Sequence, residues 1–167
     1  MKPRFTLLLF VIALLVVGSR FQLSAQDTKS KSVKAADPHV GTWKLNIAQS
    51  KGPAVPKEET NTVRELGDQY EVTFTGIQKD DSPISAKYTL PQIGGALKRQ
   101  PDFPEGVSAF VTVINQRDWY TTGLQDGKQV TAIHYVISKD GKTMTETING
   151  TDAKGKHYEA LNIWDKQ

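Results

Sequence analysis

The sequence predicts an all-β protein, an antiparallel up-and-down meander closed into a barrel of eight to ten strands. From residue 39 onward, apolar and polar residues alternate with a period of two, most clearly at Tyr70, Val72 and Phe74. This is the pattern of a strand that buries one face, whereas a helix needs apolar residues three and four apart. Short glycine-containing turns separate these runs at regular intervals. Closure into a barrel is favoured because an open meander of this size leaves two long exposed edges.

Residues 1–25 have the three-part layout of a secretory signal peptide: a basic start, an apolar run from Leu7 to Val17, and a polar end at the small residue Ala25. As a helix, the apolar run would span roughly 16 Å, about half the hydrocarbon thickness of a bilayer. We therefore expect cleavage after Ala25, with Ser19 and Gln26 as competing positions, and a periplasmic or secreted product. An uncleaved signal anchor is the alternative, and no permanent membrane span is expected once the signal is removed.

The charge balance argues against a nucleic-acid partner. The chain has 21 Lys and Arg against 18 Asp and Glu. The excess comes from Lys2, Arg4 and Arg20, which lie in the predicted signal, and the remainder is formally neutral. Without a net basic field, counterion release contributes little to nonspecific nucleic-acid binding. The chain has no Cys, which excludes disulfides, thiolate metal sites and thiol nucleophiles. We expect neither a cofactor nor a metal, and the sequence does not indicate an oligomeric state.

Two regions follow the signal. Residues 26–38 are polar and contain little that could be buried, so we expect a flexible leader. Residues 39–167 form the predicted barrel, in which Gly67-Asp68 suits a two-residue hairpin and the glycines at 127, 141 and 155 recur 14 residues apart. A β-sandwich with chance turns is the alternative. Nine strands are expected, near 41–47, 57–66, 69–76, 83–90, 107–114, 118–125, 129–138, 142–149 and 156–164.

The run from His39 to Asn46 (HVGTWKLN) resembles the opening strand of the lipocalin and fatty-acid-binding-protein group of calycin barrels, whose first strand carries Gly-x-Trp. The chain is also similar to exported bacterial proteins described only as lipocalin-like. The resemblance implies that Gly41 lets the chain bend into the barrel floor and that Trp43 seals that end. It does not extend to fatty-acid carriage. Residues 48–56 leave no room for the family's helical hairpin, and residues 157–165 lack the Arg of its anion clamp.

Aromatic residues on the predicted strands could line a cavity for an apolar or flat ligand; core packing is the alternative that accounts for most of them, and both hold in a barrel that is only partly filled. Among the histidines, His39 adjoins the domain edge and is expected at the surface. His134 and His157 could form an interior pocket with Glu146, and the alternative is that all three are ordinary polar residues. The candidate ligand-binding residues are Tyr70, Phe74, Tyr88, Phe110, Trp119, Tyr135, His134, Glu146 and His157.

The longest stretch without strand character, residues 91–106, has the length of a lid or portal, with Lys98, Arg99 and Phe103 as possible contacts. A merely mobile loop is the alternative. Phosphate-loop, dinucleotide-binding and hydrolase motifs are absent from the sequence. We therefore expect an exported barrel that binds a small, mainly apolar molecule without chemistry. The alternatives are a filled barrel that acts as a protein-interaction module of the cell envelope, and a hydrolase-type enzyme that uses the His/Glu cluster.

Overall fold

The structure is a computed structural model that describes residues 36–53, 55–152 and 154–167. Every regular element in those ranges is a β-strand. The predicted signal peptide and all but the end of the predicted leader lie outside the described residues. The strands are β1 (Gly41–Leu45), β2 (Glu58–Leu66), β3 (Gln69–Ile77), β4 (Pro83–Pro91), β5 (Gly95–Ala96), β6 (Lys98–Gln100), β7 (Val107–Asn115), β8 (Asp118–Gln125), β9 (Lys128–Ile137), β10 (Thr143–Thr151) and β11 (His157–Lys166).

All eleven strands form one antiparallel sheet in the order β5-β7-β8-β9-β10-β11-β1-β2-β3-β4-β6. Its two outermost strands, β5 and β6, are separated along the chain by a single residue, Leu97, whose N–H donates to the carbonyl of Ala109 on β7. β5 pairs with β7 and β6 pairs with β4. The two ends of the sheet therefore meet, and the barrel is nearly closed. The predicted fold class is confirmed.

Two-residue turns join several neighbouring strands, as the glycine spacing predicts. Leu66 pairs with Gln69 across the first hairpin, where Gly67 has a φ of +65°. Gln125 pairs with Lys128, and both residues between them have positive φ, as a turn that matches the twist of its strands requires. A sheet built from such short connections can be only antiparallel between neighbours.

The nine strands other than β5 and β6 lie within a few residues of the predicted ranges. The structure differs from the prediction in residues 91–106. We expected no strand there, but β5 and β6 lie inside it. Both are too short for a period of two to be visible, and each pairs with a different neighbour. Their role is to join the sheet's two ends, so this stretch is part of the barrel wall.

Trp43 lies fully buried in the core, and its indole N–H donates to the carbonyl of His39 at 2.9 Å. The fatty-acid-binding family would continue from here into helices. This chain instead turns back along β11, where the N–H of Asn46 donates to Ile163 O and that of Lys51 to Leu161 O, both at 2.7 Å. The core around Trp43 consists of Leu45, Val55, Val63, Tyr70, Val72, Ile137, Met144 and Trp164.

The residues just before β1 pack against the barrel. Pro38 is buried, and its carbonyl accepts a hydrogen bond from the ammonium of Lys166 at 2.9 Å. Asp37 bonds to Tyr70 and His39. The last two residues of the predicted leader, Asp37 and Pro38, therefore contact the barrel, and the boundary after residue 38 stays a prediction. Within the described ranges, no helix has the length and apolarity needed to cross a membrane.

Candidate functional site: a cavity inside the barrel

The barrel encloses a cavity of about 400 Å³. Its wall consists of the inward-facing residues of β1 to β4 and β7 to β10, completed by residues of the connecting segments: His39, Gln92, Leu97, Phe103 and Gln116. Cavities that hold small molecules begin at about 300 Å³. The volume is therefore that of a binding site for a compact ligand.

Aromatic rings form much of this wall. The rings of Trp119 and Tyr135 are stacked with centroids 4.9 Å apart and planes 2° from parallel. Phe74 meets Tyr88 edge to face at 5.5 Å, and Phe103 approaches Tyr88 at 6.3 Å. Such rings offer a large apolar surface of fixed shape, and the tyrosine hydroxyls add a few polar contacts.

Residues preceding β1 close one end of the cavity. The imidazole of His39 lies 4.5 Å from the ring of Trp119 and 5.0 Å from that of Tyr70, and its Nδ1 is 2.9 Å from a carboxylate oxygen of Asp37. Burial lowers the pKa of His39 despite the attraction of Asp37. Its side chain is 14% exposed, so our prediction of a surface residue is wrong. The adjoining Pro38 suggested a domain edge, but here the chain folds over the end of the barrel.

Asp37 is the anchor of this closed end. Its carboxylate accepts hydrogen bonds from the hydroxyl of Tyr70 and from the backbone N–H of His39, the latter at 2.9 Å. Burial alone would raise the pKa of Asp37, but these hydrogen bonds outweigh it and the pKa is lowered. Burial and the same bond to Asp37 raise the pKa of Tyr70. Asp37 therefore stays ionised and Tyr70 stays protonated at neutral pH.

Two glutamates face the cavity from different strands, and the better held is Glu146 on β10. It is 8% exposed, and its Oε2 accepts the indole N–H of Trp164 at 2.9 Å and the amide N–H of Asn162 at 3.0 Å. Burial raises the pKa of Glu146, whereas the hydrogen bonds from Asn162, Trp164 and Tyr135 lower it in part. Burial and the neighbouring Glu146 raise the pKa of Tyr135 well above its usual value.

Glu59 on β2 lacks such support. Within the described part of the chain, no hydrogen bond to its carboxyl is found. Burial raises its pKa to about 7, and the negative charge of Glu146 adds to this. Two residues further along the same strand face, Asn61 is 5% exposed, and its Oδ1 is buried with no hydrogen-bond partner. Glu59 and Asn61 therefore present hydrogen-bond acceptors to the cavity that receive no hydrogen bond from the residues that the structure describes.

No lysine or arginine is among the residues that line the cavity. Arg99 lies opposite Tyr88 in the β4–β6 pair, but its guanidinium donates to the carbonyls of Pro101 and Asp102 at 3.3 and 3.4 Å. Across the described ranges, no group of three or more His, Asp or Glu side chains is placed to hold a metal ion. The ionisable groups that face the cavity are therefore acidic or neutral at physiological pH, and the buried imidazole of His39, whose pKa is lowered, is among the neutral ones.

The structure brings six of the nine candidate ligand-binding residues together on the cavity wall: Tyr70, Phe74, Tyr88, Trp119, Tyr135 and Glu146. The other three candidates, Phe110, His134 and His157, lie elsewhere. The ring of Phe110 is on the outer face of β7, 44% exposed. Alternation along β7 explains this, because the flanking Ala109 and Val111 are the buried residues.

His134 and His157 do not join Glu146. Glu146 pairs with Tyr135 across the β9–β10 ladder, whereas His134 pairs with Thr147, so the two side chains point to opposite faces of the sheet. On the outer face, Nε2 of His134 lies 2.8 Å from Asp118, and its ring stacks on Tyr120 at 4.2 Å. His157 pairs with Thr151 and is exposed. The predicted pocket of two histidines and a glutamate is therefore not formed.

In the stretch expected as a lid or portal, Phe103 reaches the cavity and Lys98 is exposed. Sequence reasoning missed six polar lining residues: Gln92, Gln116, Thr121, His39, Glu59 and Asn61. The spacing of Glu59 and Asn61 from Val63 on β2 could have revealed them, since all three are separated by steps of two residues. Because neighbours two apart lie on one face, an apolar Val63 places Asn61 and Glu59 on the inner face.

Comparison with known proteins shows a likeness in shape to a solved structure. No protein-family model and no curated protein sequence matches the chain. A crystal structure of zebrafish ileal bile acid-binding protein complexed with cholic acid is similar, with a TM-score of 0.49 and 12% sequence identity. The match covers 78% of this chain and 99% of the zebrafish chain. The similarity to exported bacterial lipocalin-like proteins that we expected from residues 39–46 stays a prediction.

Proposed function

We propose that this protein is an exported, lipocalin-like barrel that binds a small, mainly apolar molecule in its cavity without transforming it. The observation that carries the proposal is the cavity of about 400 Å³ with its aromatic wall. A wall of rings interrupted by a few buried polar groups is the usual composition of a small-molecule site, in which apolar surface gives affinity and polar groups fix orientation.

The rival reading of a filled barrel that acts through its loops fits this interior less well. A barrel packed solid has its inward side chains in mutual contact at close to crystal density. Here the inward residues of eight strands surround open volume. The catalytic alternative needed His134 and His157 beside Glu146, and these histidines lie on the outer face or at the surface.

Export is the part of the proposal that the sequence alone supports, through the signal-like residues 1–25. Expressing the full chain in a bacterium with two membranes and fractionating the cells tests it. We expect a product in the periplasm or the medium whose first residue, by N-terminal sequencing, is close to Gln26. A full-length product that stays with the membrane fraction would contradict export of a cleaved protein.

The binding proposal is tested by filling the cavity. Ala86 faces inward on β4 and lines the cavity, whereas its neighbour Ser85 is exposed on the outer face. We expect the neutral fluorescent probe N-phenyl-1-naphthylamine to bind the natural protein and the S85W control, and to lose most of its affinity for A86W. Circular dichroism checks that both variants fold. Undiminished binding to folded A86W would show that the probe sits outside the barrel and would overturn the proposal.

A further inference from the structure

The acceptor groups on the cavity wall point to one class of ligand. Glu59 and Asn61 lie two residues apart on β2 and face inward together. The Oδ1 of Asn61 is buried with no partner, although buried polar atoms are nearly always hydrogen-bonded. An unsatisfied buried acceptor costs free energy that a bound donor would recover.

Glu146 marks the same part of the wall as negatively charged. Its carboxylate already accepts hydrogen bonds from Trp164 and Asn162, and both donors are neutral. Both hydrogen bonds stabilise one oxygen, Oε2, and neither donor cancels the negative charge of the carboxylate. Glu59 experiences that charge directly. No cationic side chain lines the cavity to balance the two carboxyls.

We propose that the cavity selects apolar molecules that carry an amine, whose protonated nitrogen donates hydrogen bonds to the Glu59 carboxylate and to Asn61 Oδ1 while the apolar body lies against the aromatic wall. This inference rests on the proposed binding function and specifies its ligand class. An ammonium group supplies both what Asn61 lacks, a donor, and what the two glutamates lack, a positive charge.

The ionisation of Glu59 agrees with this assignment. Its pKa is near neutrality because burial and Glu146 both oppose its negative form. A cation bound beside it favours that form. A ligand with a carboxylate at this end would instead place a third negative charge in a water-poor interior. The same wall should therefore discriminate against the anionic amphiphiles that a cup of this shape could otherwise hold.

Three probes that share one ring test the inference: 2-naphthylmethylamine, 2-naphthylmethanol and 2-naphthoic acid, titrated by calorimetry at pH 8. We expect the amine to bind at least about tenfold more tightly than the alcohol, the contribution of one charge-assisted hydrogen bond, and the acid to bind most weakly. In E59Q the preference for the amine should fall to within about threefold, because the isosteric amide keeps the shape but loses the charge. The exposed neighbour Glu58 on the same strand provides the control E58Q, which should keep the full preference.

The outcomes separate this inference from the function on which it rests. Equal binding of all three probes, tighter binding of the acid, or an undiminished preference in E59Q overturns the amine assignment and leaves apolar binding intact. Absence of binding by every probe overturns both. A second measurement uses the natural protein alone: at pH 6.5, the amine should shift the ¹³C resonance of the Glu59 carboxyl toward its ionised position. A resonance that does not move on saturation with the amine would also overturn the assignment.

Discussion

The indole N–H of Trp164 donates to the carboxylate of Glu146 at 2.9 Å, and both side chains are almost fully buried. The two residues lie on adjacent strands, with Trp164 opposite Met144 and Glu146 opposite Asn162. A buried carboxylate is stable only with donors directed at it. The inward face of β11 therefore holds the Glu146 carboxylate in place. Trp164 packs in the core and also fixes a side chain that lines the cavity.

Replacing Trp164 by Phe tests this relationship, because a six-membered aromatic ring is kept and the N–H is lost. We expect W164F to lose about 2 kcal/mol of unfolding free energy, the usual contribution of a hydrogen bond to a charged group, measured by urea titration. W119F is the matched control, since no hydrogen bond from the Trp119 indole is found among the described residues. Equal losses in the two variants would mean that ring area, and not the bond to Glu146, sets the cost.

The raised pKa of Glu59 predicts that the folded protein becomes less stable as the pH rises. Its pKa in the folded protein is about 7 against an ordinary value of 4.5, so between these values the folded state binds more protons than the unfolded state. Stability then falls as the pH rises through this window and levels off above it. The shift would be worth about 3 kcal/mol for a fully buried group, and about 1–2 kcal/mol after solvent screening of a partly exposed one.

The measurement is urea unfolding of the natural protein, E59Q and E58Q at several pH values from 5 to 8. His39, whose pKa is lowered, works in the opposite sense, but it is present in all three proteins and cancels in their differences. We expect E59Q to gain stability relative to the natural protein as the pH rises, with E58Q parallel to the natural protein. A constant difference between E59Q and the natural protein would show that Glu59 titrates normally.

The hydrogen bonds of Asp37 predict that the residues before β1 are needed to close this end of the barrel. Removing its carboxylate in D37A leaves the hydroxyl of Tyr70 and the N–H of His39 without their acceptor. We expect a loss of about 2 kcal/mol and faster hydrogen exchange in peptides that cover residues 37–43. The control D118A breaks the half-exposed pair with His134 and should cost less than about 1 kcal/mol. Unchanged exchange in D37A would show that this end stays closed without the carboxylate.

The period of two and the turn glycines made the barrel predictable, because both are local. Tyr70, Val72 and Phe74 alternate with polar residues whatever the rest of the chain does, and Gly67 supplies the positive φ that its turn needs. Strands β5 and β6 were not predictable in this way. They are two and three residues long, and what makes them strands is pairing with two different partners, β7 and β4, at the two ends of the sheet.

The sequence predicted most of the aromatic part of the cavity wall, but of its charged and amide-bearing residues only Glu146. Tyr88 and Tyr135 are typical of a buried strand face, whereas Glu59 and Asn61 are typical of an exposed one. Their inward position follows from the register that pairs Asn61 with Phe74. His134 illustrates the converse error, since apolar neighbours two residues away suggested an inner face. That strand carries apolar residues on both faces, including the exposed Val136, so parity alone could not decide which face is buried.

The close packing at Gly76 predicts that a larger residue there would displace Glu59. The two residues lie directly opposite each other in the β2–β3 pair. A Cβ atom at Gly76 would lie 2.2 Å from the carbonyl oxygen of Glu58 and 2.9 Å from the Cα of Glu59. Both contacts are with backbone, so β2 would have to move. We expect G76A to cost about 2–3 kcal/mol, as overpacking does, and to reduce the preference for the amine probe by displacing Glu59.

The control is G67A, at a turn where a Cβ would meet nothing within 4 Å and the cost comes from a φ of +65° alone. That strain is worth about 1–2 kcal/mol, so stability alone does not separate the two variants well. Binding of the amine probe separates them, because neither residue of the turn, Gly67 or Asp68, lines the cavity. G67A should keep the preference for the amine. If folded G76A keeps it as well, the position of Glu59 on β2 is not what selects the ligand's polar end.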